Sequence, residues 1–321
     1  MWLLAPIFAI LLVPVAACSS AWAGRGPEVV QEGPAPLTRP AAEARLAASR
    51  RLLVQLQGLS FASVERADPD VLVVDYAWDG GPATELTPAD VARLRAGRRI
   101  VLAYLSVGEA EEYRFYWRNE ARGGRARFVD RRNPDWPGDW LVRYWDPDWQ
   151  AVLYGGPGSY LSRIMAAGFD GVYLDTVDSA EVFEERGDGE AAARMADLVV
   201  ALADAARARV PGFLVVAQNP FKILGFPRAV AAMSGAVGEA VAFKGESVRA
   251  KPELEGVLRP LRDLHAAGKT VMMLEYVRST VARGRFAGIC ADEGFLCYVG
   301  GRGLGRVGFM LDAGRTGGTA R

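Results

Sequence analysis

The chain has 321 residues, with Lys+Arg and Asp+Glu balanced at 38 each and a single histidine. This length accommodates one barrel-sized domain as readily as two smaller ones, while zero net charge excludes a global field that would gather nucleic acid or anionic membrane surface. With only His265, placed in LRDLHAAGK near an expected helix end, zinc sites of the usual kind, Ser-His-Asp triads and histidine bases are hard to build, and carboxylates become the default acids and bases.

The first seventeen residues, MWLLAPIFAILLVPVAA, carry no charged side chain. They have the length of a signal-peptide core and are short for a membrane span, so they are expected to be an export signal. Two processing readings follow. Val15-Ala16-Ala17-Cys18 resembles a bacterial lipobox with Cys18 as the lipidated residue, whereas Ala21-Trp22-Ala23 fits the small-x-small rule of a freely secreted protein. The lipoprotein reading is preferred; it makes the protein an exported, cell-envelope molecule that touches membrane only through a lipid anchor. Residues 18–45 are rich in Pro, Gly and Ala without a sustained apolar period and are expected to form a flexible tether. Residues 46–312 are expected to fold, and 313–321 to be a frayed tail.

Within the folded part, eight apolar runs have the composition of strands buried on both faces: 52–57, 71–76, 100–107, 170–175, 212–219, 235–243, 270–277 and 294–300. Helical period and capping residues mark 87–97, 149–168, 190–210 and 252–269 between them. Strand–helix alternation implies right-handed crossovers on a parallel sheet, and eight strands predict a single-domain α/β fold, a (β/α)8 TIM barrel. A ninth run, WLVRYW (140–145), would favour an open doubly wound sheet if it joined the others. It is read instead as an excursion within the long third-to-fourth connection. Near the C-terminus, Cys290 and Cys297 form an even pair that an oxidising compartment would allow to bond, the alternative being two buried thiols.

Acids stand at or just past the ends of these runs: Asp75, Glu109, Asp175, Asp178, Glu239 and Glu275. A lone Asp there is ordinarily the N-cap of the next helix. Repetition at several strands argues otherwise, because in a barrel all C-terminal strand ends meet on one face. Converging carboxylates without histidine suit glycosidic-bond hydrolysis or a hard cation. Aromatic residues that could stack on sugar rings, among them Tyr76, Trp78, Tyr104, Tyr113, Tyr116, Trp117, Tyr144, Trp145, Tyr173 and Tyr276, lie at or beyond the same ends. Asn219, just after the fifth run, is a turn residue or a hydroxyl ligand, and Glu246 is a rival to Glu239.

LLVQLQG with VLVVDY, then YLSVGEAEEYRFYW, WLVRYWDPDWQ, GFDGVYLDTVDS, VVAQNP, SGAVGEAV and LEYV resemble the endo-α-1,4-polygalactosaminidase-like glycoside hydrolases, family 114, over about residues 50 to 300. The resemblance implies a secreted (β/α)8 hydrolase of α-1,4-linked galactosamine-rich polysaccharide. The family's catalytic Asp after the fourth strand falls on Asp175 and its catalytic Glu after the sixth on Glu239. Its usual Asp before the glycine of the sixth-strand motif is Ser234 here, and its Asn-Gly is Asn219-Pro220. The expected mechanism has Asp175 attack the anomeric carbon and Glu239 act as acid, then base, with no metal and no cofactor. Asp75, Tyr76, Tyr104, Glu109, Tyr173, Asp178, Asn219, Glu275 and Tyr276 are expected to bind a cationic or amino-sugar polysaccharide. The alternatives are a catalytically inactive polysaccharide-binding lipoprotein on the same barrel and a cation-dependent hydrolase.

Overall fold

A computed structural model describes residues 37–313. The expected export signal, Cys18, most of the tether and nearly all of the frayed tail lie outside the described residues.

Eight parallel strands run in chain order around the molecule: β1 (Leu52–Gln55), β2 (Val71–Val74), β3 (Ile100–Ser106), β4 (Gly171–Asp175), β5 (Leu214–Gln218), β6 (Gly235–Glu239), β7 (Thr270–Glu275) and β8 (Leu296–Val299). All eight expected runs are strands, and the fold is the (β/α)8 barrel. An antiparallel strand, Phe309–Met310, lines the outer edge of β8. At the seam with β1, the Leu304 carbonyl accepts from the Leu56 and Gln57 amides at 3.0 and 3.3 Å. Strands such as Val71–Val74 form because their β-branched side chains are buried on both faces, one toward the barrel interior and one toward helices.

The helices follow from period and caps. Ala191–Arg207 buries Met195, Leu198, Val199 and Leu202 along one stripe. Thr87 and Asp90 form a reciprocal capping box before Pro88–Leu94. Two expectations are corrected. The stretch 149–168 is not one helix: Pro147–Tyr154 and Tyr160–Ala167 flank Gly155-Gly156-Pro157-Gly158, and Ser159 caps the second. The tether ends earlier than residue 45, because Arg39–Ala47 is helical and buries Ala42 and Leu46 against the barrel.

WLVRYW does not join the barrel sheet. Residues 107–146 leave the end of β3 and build a three-stranded antiparallel sheet from Glu109–Glu111, Val129–Arg132 and Asp139–Val142, with the last strand in the middle. Its underside is aromatic: Tyr116 meets Trp149 edge-on at 5.3 Å, and the Trp149 indole donates to the Val107 carbonyl at 2.8 Å. Cys290, in the helix Thr280–Glu293, and Cys297, in β8, are joined by a disulfide.

Strand packing is tightest at Gly171, where a Cβ would stand 2.3 Å from the Leu214 carbonyl oxygen and 2.6 Å from its Cβ. Backbone of a paired strand cannot yield as a flexible side chain would. Gly171→Ala is therefore expected to destabilise the fold by about 2–3 kcal/mol, measured by urea unfolding at unchanged m-value.

Candidate active site

In a parallel sheet, register decides which side chains share a face, because the side-chain period is two. Here Val73 pairs with Leu102, Tyr104 with Tyr173, Tyr173 with Val216, Gln218 with Val237 and Glu239 with Leu274. Stepping by two from these partners puts Asp75, Tyr104, Asp175, Gln218, Glu239 and Tyr276 on the one inward face at the C-terminal mouth. β4, β5 and β6 each read as four buried residues followed by one that meets solvent, and those last residues are Asp175, Gln218 and Glu239. The residue after each, Thr176, Asn219 and Ala240, has a positive φ of 59°, 44° and 52°. Three neighbouring strands therefore turn sharply at one level, and for β-branched Thr176 this is a strained conformation.

Each of the two central acids is held by a tyrosine. Tyr104 donates to Asp175 Oδ2 at 2.6 Å, and the Thr176 amide donates to Oδ1 at 2.8 Å. Tyr276 and the Gln218 amide nitrogen donate to the two oxygens of Glu239. Burial pushes Asp175 up to about 6 and Glu239 up to about 7; for Glu239 the neighbouring Asp175 charge adds to the rise, and the tyrosine bonds oppose it in both. The Tyr173 hydroxyl lies buried between these groups without a partner. Asn219 links two elements: its oxygen accepts from the Glu239 amide at 2.9 Å and its nitrogen donates to Asp178 at 3.2 Å.

The excursion supplies a further wall. Glu109 accepts from Asn133 at 2.8 Å and is pushed up to about 7 by burial, while Asp139 rises to about 8 through burial and the charges of Glu111, Glu109 and Asp175. Gln218, Asn133 and Asp139 were not singled out as site residues from the sequence. Gln218 alone carried a signal there, a polar residue closing an apolar run; nothing marks Asp139 and Asn133 until the three-stranded sheet folds back.

Several expected binders stand elsewhere. Glu275 is on the outward face of β7, 2 % exposed, and its carboxylate accepts from the Ala242 amide at 2.7 Å, so it fastens the turn after β6 and does not face the cleft. Tyr76 is buried and packs edge-on against Tyr160 at 4.8 Å. Tyr116 and Tyr144 are fully buried, and Trp117 nearly so, under the excursion. Of the aromatic residues in question, Tyr113 is exposed, with its hydroxyl bonded to Glu111. Glu246 accepts from the Arg278 and Ser279 amides, both at 2.9 Å, and so holds the turn that leads into the helix Thr280–Glu293. Ser234 precedes β6 at the opposite end of the barrel, bonded to Val215 and Arg207.

Asp75 reaches the inward face but is occupied. The Arg114 guanidinium binds it at 2.8 Å and binds Glu111 at 2.7 Å, with the Arg114 side chain entirely buried. This ion triad ties the excursion to the end of β2. Removing its one cation would leave two buried carboxylates uncompensated, so Arg114→Met is expected to cost about 3–5 kcal/mol in chemical unfolding. Arg93→Met, which breaks an exposed pair with Glu65, should leave the midpoint nearly unchanged.

Comparison with known proteins agrees with this architecture. The model of glycoside-hydrolase family GH114 matches residues 34–314. An uncharacterised protein of Deinococcus radiodurans is 33% identical over 278 residues, covering 85% of this chain and 87% of its own. An uncharacterised protein of Methanocaldococcus jannaschii is 29% identical over 258 residues, covering 76% and 73%. Among solved structures, Aspergillus fumigatus Ega3 in complex with galactosamine superposes with a TM-score of 0.63 at 18% identity, covering 81% of this chain and 95% of that one. The glycoside hydrolase domain of PelA from Pseudomonas aeruginosa gives 0.62 at 22% identity, covering 82% and 98%. At these identities the superpositions show a shared fold; with the family model spanning all of the described residues, this chain belongs to glycoside-hydrolase family GH114.

Proposed function

We propose that this protein is an exported glycoside hydrolase that cleaves α-1,4-linked galactosamine-rich polysaccharide, with Asp175 and Glu239 as its reacting pair and Cys18 as its lipid anchor. The observation that carries the proposal is the convergence of Asp175 and Glu239 on the inward face at one barrel mouth, each fixed by a tyrosine. β4 and β6 are separated by β5 alone, so their backbones lie about 9–10 Å apart, and inward-leaning side chains fall within the roughly 5–9 Å range of glycosidase pairs.

In this mechanism an Asp175 oxygen attacks the anomeric carbon while Glu239 gives its proton to the departing glycosidic oxygen. Glu239, now ionised, takes a proton from water, whose oxygen displaces Asp175 from the sugar with net retention. The different environments suit these roles, since Asp175 ionises at lower pH than Glu239. Asp178 and the ionised Asp175 put carboxylate charge beside the sugar, which favours a polymer bearing free ammonium groups, while Glu109 and Asp139, pushed up to about 7 and about 8, add hydrogen-bonding carboxyl groups to the wall. The galactosamine bound in the Ega3 structure accords with that choice of sugar.

Reducing ends released from partly deacetylated polygalactosamine test the proposal. Wild type should release them, and Asp175→Asn should lower turnover about ten-thousand-fold; wild-type turnover in that variant would refute the role of Asp175. A second measurement is the pH profile of kcat/KM. Asp175 must be ionised and Glu239 protonated, so activity should rise through about 6 and fall above about 7. Because the Tyr276 hydroxyl stabilises ionised Glu239, Tyr276→Phe should move the alkaline limb to higher pH. A shift to lower pH would show that another group controls that limb.

A further inference from the structure

Thr176 follows Asp175 with a φ of 59°, an angle at which a β-branched side chain crowds its own backbone. Strain of this kind persists only where the surroundings hold it. Here the holding bonds converge on one atom. Thr176 Oγ1 accepts from the Gly108 amide at 2.8 Å, stands 3.0 Å from Ser106 Oγ and donates to the Asp175 carbonyl at 2.7 Å. Ser106 closes β3, and Gly108 lies at the start of the excursion, so one hydroxyl joins the end of β4 to both. The joint has no slack: a Cβ at Gly108 would stand 2.4 Å from the Thr176 carbonyl oxygen and 2.0 Å from Ser179 Oγ. The backbone held in this way presents the Thr176 amide to Asp175 Oδ1 at 2.8 Å, while the Tyr104 hydroxyl takes Oδ2 at 2.6 Å. A glycine would adopt the same φ without strain, but it has no hydroxyl to fix it.

We infer that Thr176 is a positioning residue, whose strained backbone, pinned through Oγ1 to Gly108 and Ser106, fixes the rotation of the Asp175 carboxylate for attack on the sugar. Two donors, one on each oxygen, hold a carboxylate in one plane. With Tyr104 alone it could turn about its Cβ–Cγ bond, and a nucleophile out of line loses rate without losing substrate. The inference takes the attacking role of Asp175 from the proposed function. It has an electrostatic consequence as well, because the Thr176 amide donates to the ionised form of Asp175 and opposes the rise that burial causes. Losing that bond therefore raises the pH at which Asp175 ionises. The other groups facing Asp175 are Tyr104 on β3, with Arg114 5.7 Å from its ring, Glu239 on β6 and Tyr276 after β7. Tyr173 and Asp178 face it from its own strand and the turn beyond, and Glu109, Glu111 and Asp139 from the excursion. All of these remain in a Thr176 variant.

Carboxyl-carbon NMR of the full chain, with Asp175→Asn to assign the resonance, reads the titration of Asp175 directly. Wild type should titrate near about 6. Thr176→Gly, which accepts the same φ and removes the hydroxyl, should titrate about 0.5–1 higher in pH, and the acid limb of kcat/KM should move with it. Its kcat should fall about ten- to a hundred-fold with KM within about two-fold of wild type. Thr176→Ser, which keeps the hydroxyl and sheds only the methyl, should titrate as wild type does. An unmoved Asp175 titration in Thr176→Gly, or a Thr176→Ser titration that matches Thr176→Gly, would overturn the inference. The titration needs no turnover, so a wild type that released no reducing ends would count against the proposed function alone, and the role of Thr176 would still be decided by the Asp175 resonance.

Discussion

The site depends on one constraint, the unbroken parallel register of the barrel strands. A side chain in a strand lies on one face or the other with a period of two, and register transfers that choice from each strand to the next. Asp175, Gln218 and Glu239 close three successive strands at one level and on one face. A slip of one residue in β6 would turn Glu239 into the outer layer and bring Gly238 inward. The positive-φ residues that follow these three positions bend the chain away at once, so each acid is the last group before solvent.

The same constraint separates two glutamates that the sequence treats alike. Glu239 and Glu275 both end apolar runs, both are largely buried, and both are pushed up to about 7. For Glu239 the company is Asp175, Tyr276 and Gln218, groups that can act on a substrate. For Glu275 it is the backbone amides of the turn after β6. A raised carboxylate is therefore a marker of burial, and only its neighbours say whether it belongs to chemistry or to architecture.

The excursion between β3 and β4 organises charge across the molecule. Its inner side brings Glu109 and Asp139 toward Asp175, and its single buried cation, Arg114, is committed to Asp75 and Glu111. A chain with zero net charge thus gathers a cluster of carboxyl groups at one barrel mouth, which composition averages away. Long connections in barrels are where such specialisation is expected, since the strands and helices are fixed by packing and the loops are not.

The sequence by itself determined the barrel. Eight runs buried on both faces, helices marked by caps and period, and acids gathered at strand ends were all local patterns, set by the physics of burying a strand or capping a helix within a few residues. It also marked Asp175, Glu239 and Tyr276, because a polar group at the close of an apolar strand is visible in one dimension, and Tyr104 as an aromatic residue near the end of the third run. Tertiary structure alone decided that Glu275 and Tyr76 turn away from the cleft, that Asp75 is bound to Arg114, and that Asp139, Asn133 and Gln218 line the site. The physical reason is that facing and pairing belong to register and to chain return, which join residues dozens of positions apart and leave no periodic trace along the chain.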